Sequence, residues 1–249
     1  MKPPARLPSP PASERPFVKI LAISDEVVES LYSPIIKDKF GDIDLVLGCG
    51  DIPFYYLEFI VSILDVPLYY VPGNHDRLQQ YLSDGRIIHK AEGSEPLDVR
   101  SVALPVMSQA DRRTSQVPNR QTPRLLLAGL GGSRRYNMDG PHQHTESDML
   151  LRLLRLSPAL FANRLRYGRY LDILVTHAPP RGIHDADDLA HIGFDVFLRF
   201  MRLFKPKMLL HGHSHVYRSD TITNTHFEST QVLNVYPYRL VEWQPNVGR

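Results

Sequence analysis

Phe17-Val18-Lys19-Ile20-Leu21-Ala22-Ile23-Ser24-Asp25 is a buried-strand run that ends on a carboxylate, and the same pairing recurs down the chain. Leu45-Val46-Leu47 leads to Gly50-Asp51, and Leu68-Tyr69-Tyr70-Val71 leads to Gly73-Asn74-His75-Asp76. Ile173-Leu174-Val175 leads to His177, and Met208-Leu209-Leu210 leads to His213 and His215. Leu125-Leu126-Leu127-Ala128 is a further run of the same length, closed by a glycine turn. Short apolar runs bounded by polar turns read as strands buried on both faces.

Helical patterns lie between them. Leu57, Ile60, Val61 and Leu64 follow Pro53 at i, i+3, i+4, i+7, and Phe194, Phe197, Leu198 and Met201 repeat that spacing. A third helix carries Met149, Leu150, Leu153 and Leu154. Strands alternating with helices predict an α/β fold whose central sheet is covered by helices on its faces. Closely spaced strands around 221–226, 231–235 and 238–243 predict an antiparallel portion near the C-terminus. Six prolines in residues 1–16 predict a flexible tail. Residues 17–249 are expected to form a single domain, with 108–124 as a long exposed loop.

The 249 residues are 43% hydrophobic and 22% charged, the balance of an ordinary globular chain. A net charge of +2 names no polyanionic partner, and nucleic acid is disfavoured as a substrate. Cys49 is the only cysteine, so no internal disulfide forms and a reducing, cytoplasmic address is expected. The apolar stretch 59–72 is interrupted by Ser62, Asp65 and Pro67, short of the ~20 residues of a membrane helix. The N-terminus lacks the ~7–15-residue apolar core of an export signal. No membrane association is expected.

In an α/β sheet, ligands gather at the carboxyl ends of parallel strands, where the following loops converge on one crevice. Carboxylates, an amide oxygen and imidazoles are ligand types for Mn²⁺, Fe or Zn²⁺, and a shared carboxylate such as Asp51 can bridge two ions. A single Asp or His at a strand end is more often a cap; recurrence after strand upon strand is what argues for a metal.

Taken together, Ile23-Ser24-Asp25, Gly50-Asp51, Gly73-Asn74-His75-Asp76, Thr176-His177 and Gly212-His213-Ser214-His215 resemble the calcineurin-like metallophosphoesterases, over residues 17 to about 243. The resemblance implies that family's four-layer α/β/β/α sandwich, two mixed β-sheets flanked by helices, and a dinuclear site that hydrolyses a phosphodiester or phosphomonoester through a metal-bound hydroxide. It implies two divalent ions, Mn foremost, with Fe, Zn, Ni or Mg as alternatives. Asp51 would bridge, Asn74, His177 and His213 would complete the second metal position, and Asp25 and His215 would hold the first. His75 would contact the phosphate or protonate the leaving oxygen, and Asp76 would orient its imidazole.

One position departs from the family's pattern. Its first motif is Asp-x-His, whereas Asp25-Glu26-Val27 puts valine, which cannot coordinate, in the histidine's place. Three protein ligands still suffice for a metal that fills its remaining positions with water or substrate, so a weakened, partly occupied first position is expected. Glu26 reads as a surface carboxylate and Cys49 as a small buried residue at a strand end. The competing expectation is a catalytically impaired scaffold of the same fold.

Arg134 and Arg135, beside Tyr136, are candidate substrate-binding residues because guanidinium forks match phosphate oxygens; solvated surface arginine is the competing reading. His184 and His191 lie in the loop that starts beside His177, and His184 is a candidate pocket residue. Arg152, Arg155, Arg164, Arg166 and Arg169 are expected on the solvated face of the third helix. Neither the physiological substrate nor the oligomeric state is encoded in these motifs.

Overall fold

In the first strand, Ile20 and Ala22 face one way and Leu21 and Ile23 the other, as alternation along a strand requires. The first pair enters a core that residues of a second sheet complete, and the second pair enters a core with two helices. The computed structural model describes residues 17–81, 85–107, 117–119, 121–138 and 140–245. The expected tail over 1–16 and most of the expected loop over 108–124 lie outside the described residues.

In chain order the first strands are β1 (Val18–Ile23), β2 (Leu45–Gly48) and β3 (Leu68–Tyr70), then a small ribbon of β4 (Gln80–Tyr81) and β5 (Ile87–Ile88). Next come β6 (Glu95–Pro96), β7 (Ser101–Pro105), β8 (Arg124–Leu130) and a second ribbon of β9 (Ser133–Arg134) and β10 (Gln143–His144). β11 (Ile173–Thr176), β12 (Met208–His211), β13 (Asn224–Phe227), β14 (Thr230–Asn234) and β15 (Tyr238–Trp243) complete the set. The helices among the described residues are α1 (Ile36–Phe40), α2 (Phe54–Leu64), α3 (Glu146–Tyr167) and α4 (Asp195–Phe204).

The residue pattern alone predicted one central sheet, and here the structure differs. There are two large sheets, ordered β15-β1-β2-β3-β6 and β13-β14-β12-β11-β8-β7. Both are mixed: β15 runs antiparallel to β1 in the first, and β7 and β13 run antiparallel to their neighbours in the second. The C-terminal strands divide between them, because β13 and β14 pair in the second sheet while β15 crosses to the edge of the first.

The inner core between the sheets takes Ile20, Leu45 and Leu47 from the first and Leu127, Ile173, Val175 and Leu210 from the second. α1 and α2 cover the outer face of the first sheet through Ile36, Phe40, Tyr56, Leu57 and Ile60. α3 and α4 cover the second through Met149, Leu153, Leu156, Leu160, Phe197 and Phe200. The result is the four-layer α/β/β/α sandwich. Fully burying each such leucine, isoleucine or phenylalanine contributes about 1.5–3 kcal/mol.

α3 is fixed at both ends by local chemistry. Thr145 and Asp148 form a capping box, and Gly168, at φ 76°, ends the helix in a left-handed turn. Of its four apolar residues read from the sequence, Met149 and Leu153 are buried, whereas Leu150 and Leu154 face solvent. The arginine strip is partly dissolved by pairing. Arg152 binds Asp98 at 2.5 Å, and Arg169 grips the buried Asp172 with two hydrogen bonds of 2.8 Å.

Candidate metal centre

The loops after β1, β2 and β3 of the first sheet meet those after β11 and β12 of the second at one edge of the sandwich. This brings Asp25, Asp51, Asn74, His177, His213 and His215 together from opposite sheets. Asp25 (φ 63°), Asp51 (φ 56°) and His213 (φ 65°) all adopt the left-handed backbone region, a conformation that costs a non-glycine residue roughly 1–3 kcal/mol. Such strain is retained where surrounding structure over-determines it.

Two motif glycines explain why these turns fit. A Cβ on Gly73 would strike the Asp51 carboxylate, and one on Gly212 would strike Ser24 Oγ and Asp25 Oδ2. Each glycine lets the backbone of one motif approach the ligand atoms of another.

His177 Nε2 lies 3.2 Å from Asp51 Oδ2 and 3.0 Å from Asn74 Oδ1. Asp51, His177 and His213 each offer one ligand atom, all within 4.8 Å of one another. Beside them, His215 Nε2 is 3.7 Å from Asp25 Oδ1. Carboxylate, amide and imidazole donors thus converge on a common centre, a set that suits a divalent cation once His177 is neutral.

The second nitrogen of each imidazole is anchored. His177 Nδ1 donates to the Cys49 carbonyl at 2.8 Å, His213 Nε2 donates to the Ala190 carbonyl at 2.7 Å, and His215 Nδ1 pairs with the Tyr217 hydroxyl at 2.7 Å. Asn74 Nδ2 donates to the Tyr136 hydroxyl at 3.0 Å, which turns its Oδ1 toward His177. Partners of this kind fix the tautomer and orientation of a ligand and raise its basicity. His215 is also stacked on Tyr236, with ring centroids 4.6 Å apart.

Charge reinforces the arrangement. Burial opposes ionisation of Asp51, but His177 more than compensates and brings the carboxyl down to about 2. Burial likewise opposes the imidazolium of His177, and the same carboxylate overrides it, pulling that pKa up to about 9. His213 is pushed down to about 4, first by burial and then by the neighbouring His177 charge. Asp25 is held below the ordinary carboxylate range: burial opposes the charge, and His215, His177 and Ser24 outweigh it.

A cleft of about 450 Å³ opens on this cluster, lined by Asp25, Asp51, Asn74, His75, Tyr136 and His191 among others. His75 is exposed on it, and its backbone N–H donates to Asp51 Oδ1 at 2.7 Å. A second lobe of about 420 Å³ adjoins it, sharing His191 and His215.

Several expectations require correction. Asp76 turns inward, its Oδ2 accepting the N–H groups of Asp51 and Gly73 at 2.9 and 2.8 Å, so it shapes the two metal-side turns rather than orienting the His75 ring. Burial lifts its pKa to about 6, against the lowering effect of the Gly73 amide. Arg134 pairs with Glu146 and lies over the Phe194 ring, while Arg135 pairs with Asp148 at 3.1 Å; neither is among the described residues that line the cleft. The acids that hold them sit in the first turn of α3, where negative charge is favoured.

His184 lines the second lobe instead, bonding to His211 and Thr225 at 2.9 Å each. Val27 packs partly buried against the core beneath α1 and α2. Glu26 is exposed, accepting from the Tyr236 hydroxyl at 2.7 Å, and Cys49 is fully buried. Sequence reasoning missed Tyr217, Tyr236 and the Ala190 carbonyl as parts of the site. No local pattern marks them, since each acts through a residue distant in the chain or through the backbone.

A two-sheet sandwich with this cluster at its edge is the metallophosphoesterase fold. The calcineurin-like phosphoesterase family model matches residues 20–217, and the chain belongs to that family. Its fold is similar to that of TT1561 of Thermus thermophilus, at 14% identity over 89% of each chain and a TM-score of 0.53. A second solved structure, also 14% identical, covers 92% of this chain and is covered over 100% of its own, with a TM-score of 0.54. No curated protein matches the chain. No helix among the described residues is long and apolar enough to cross a membrane.

Proposed function

We propose that the protein is a metal-dependent phosphoesterase acting on a small phosphodiester or phosphomonoester, with residues 17–249 as a single catalytic domain. The observation that carries this reading is the convergence of His177 Nε2, Asp51 Oδ2 and Asn74 Oδ1 within 3.0–3.2 Å. Asp51, Asn74, His177 and His213 would hold one divalent ion, and Asp25, Asp51 and His215 a second, with manganese foremost. Bound there, the metals would supply Lewis acidity toward the phosphoryl group and lower the pKa of water.

The chain's own residues do the rest. The Cys49 and Ala190 carbonyls keep His177 and His213 in the tautomer that presents a lone pair, and the Tyr217 hydroxyl holds the His215 ring in place. His75, exposed beside Asp51, is the proton donor to the leaving oxygen. The second lobe receives the organic group of the ester. Its described lining carries His184, Val216, Tyr217 and Ile222 and neither lysine nor arginine, which favours an uncharged group over a second phosphate.

The first position has three protein ligands, because Val27 is committed to the core, and weaker occupancy there follows. The test is metal content of the purified protein together with hydrolysis of bis(p-nitrophenyl) phosphate and p-nitrophenyl phosphate with and without Mn²⁺. Up to two metals per chain and Mn²⁺-stimulated turnover, both lost in Asp51→Asn, are expected. Absence of metal and of turnover at every Mn²⁺ level would replace this reading with that of a scaffold.

A further inference from the structure

α3 is apolar on two opposite faces. Met149, Leu153, Leu156 and Leu160 are buried against the second sheet, and Leu151, Leu154, Pro158, Phe161 and Leu165 form a stripe on the far side. Leu151, Leu154, Phe161 and Leu165 are exposed by 54, 55, 48 and 89%. A surface helix ordinarily turns polar residues outward, and a contiguous apolar patch of several hundred Å² marks an interaction site.

The stripe steps by three, four, three and four residues, the spacing with which one helix packs along another. Counted from Pro158, its members fall at −7, −4, 0, +3 and +7, so the pattern reads nearly the same in both directions. A two-fold axis through Pro158 would place Leu151 against Leu165 of a second copy and Leu154 against Phe161. That is the self-complementarity an isologous interface requires. Arg155 flanks the stripe at −3 and meets the partner's +3 position rather than its own counterpart, so like charges do not face each other.

The exposed parts of these side chains amount to roughly 500 Å², more than half of the ~800 Å² that each partner contributes to a standard stable interface. Leu150 on the same helix and Leu203 on α4 are exposed as well.

We infer that this face of α3 is a homodimer interface, with two copies paired antiparallel about Pro158. Sedimentation equilibrium of the full chain should give a mass twice 28.5 kDa, and Leu154→Glu combined with Leu165→Glu should return the monomer without altering the circular dichroism spectrum. Cross-linking reports geometry independently, because the single native cysteine, Cys49, is buried. Under oxidation Pro158→Cys should link to itself. Leu151→Cys should link to Leu165→Cys in a mixture, and neither of these should link alone.

A wild-type monomer at 100 μM would overturn the inference, as would a dimer that survives the double substitution or an absence of Pro158→Cys linkage in a dimeric sample. A monomer that instead floats with anionic phosphatidylserine vesicles through this stripe would assign the face to a lipid surface and likewise overturn it.

Discussion

Raising the pH of the chelated protein should weaken its fold, and the His177–Asp51 pair sets the size of the effect. Burial opposes the imidazolium of His177, yet the carboxylate 3.2 Å away outweighs it and lifts the pKa from 6.5 to about 9. A group whose pKa rises on folding stabilises the native state fully below its unfolded pKa, and that contribution disappears as the pH climbs through the folded value. The window therefore runs from about pH 6.5 to about 9. A separation of ~2.5 pH units at ~1.36 kcal/mol each caps the loss at about 3 kcal/mol. In a chain of this size that corresponds to a fall of roughly 6–12 °C in melting temperature.

Physically, deprotonation leaves three lone-pair-bearing atoms facing one another where an ion pair had been. Metal ligation needs the neutral imidazole, so the Mn²⁺-loaded protein should hold its melting temperature to pH 8.5 while its metal affinity rises. The assay is thermal unfolding in EDTA at pH 6.5, 7.5, 8.5 and 9.5 for wild type and His177→Asn, beside the loaded wild type at the lower three values. A wild-type midpoint that stays flat or rises across the window, or one that falls equally in His177→Asn, would refute the reasoning.

His75→Ala should retain both metals, by elemental analysis, while turnover drops by about 10²–10⁴, the usual contribution of a general acid; loss of metal would reassign His75 to ligation. Val27→His should raise metal stoichiometry or tighten the weaker site in equilibrium dialysis, at some cost in stability because Val27 packs against the core. Unchanged binding in a folded variant would show that the first position has no deficit. Tyr217→Phe removes the hydroxyl that anchors His215 Nδ1 and should weaken the first metal position by about 10–100-fold, leaving the second intact. Equal weakening of both would mean that Tyr217 acts on the whole cleft.

The order and placement of the motifs were legible in the sequence. A buried strand must be a short apolar run, a strand must end in a turn, and residues at the ends of parallel strands share an edge, so the positions of Asp25, Asp51, Asn74, His177 and His213 follow from local rules. Valine at position 27 stood out only against the Asp-x-His motif of the family that the chain resembles, since nothing local calls for a ligand there.

The tertiary structure decided what depends on long-range register. Which sheet the last strand joins follows from β15 crossing to pair with β1, a choice that no pattern within 238–243 encodes. The anchor of His177 is the carbonyl of Cys49, 128 residues away, and backbone carbonyls carry no sequence signature. Arg134 and Arg135 suit phosphate as well as carboxylate, and only the arrival of the α3 N-terminus beside them committed both to Glu146 and Asp148. Leu150 and Leu154 likewise fit either face of a helix whose two sides are both apolar. The rotation of α3 against the second sheet turned them outward, because helix packing selects the face whose side chains fill the neighbouring grooves and leaves the other to solvent or to a partner.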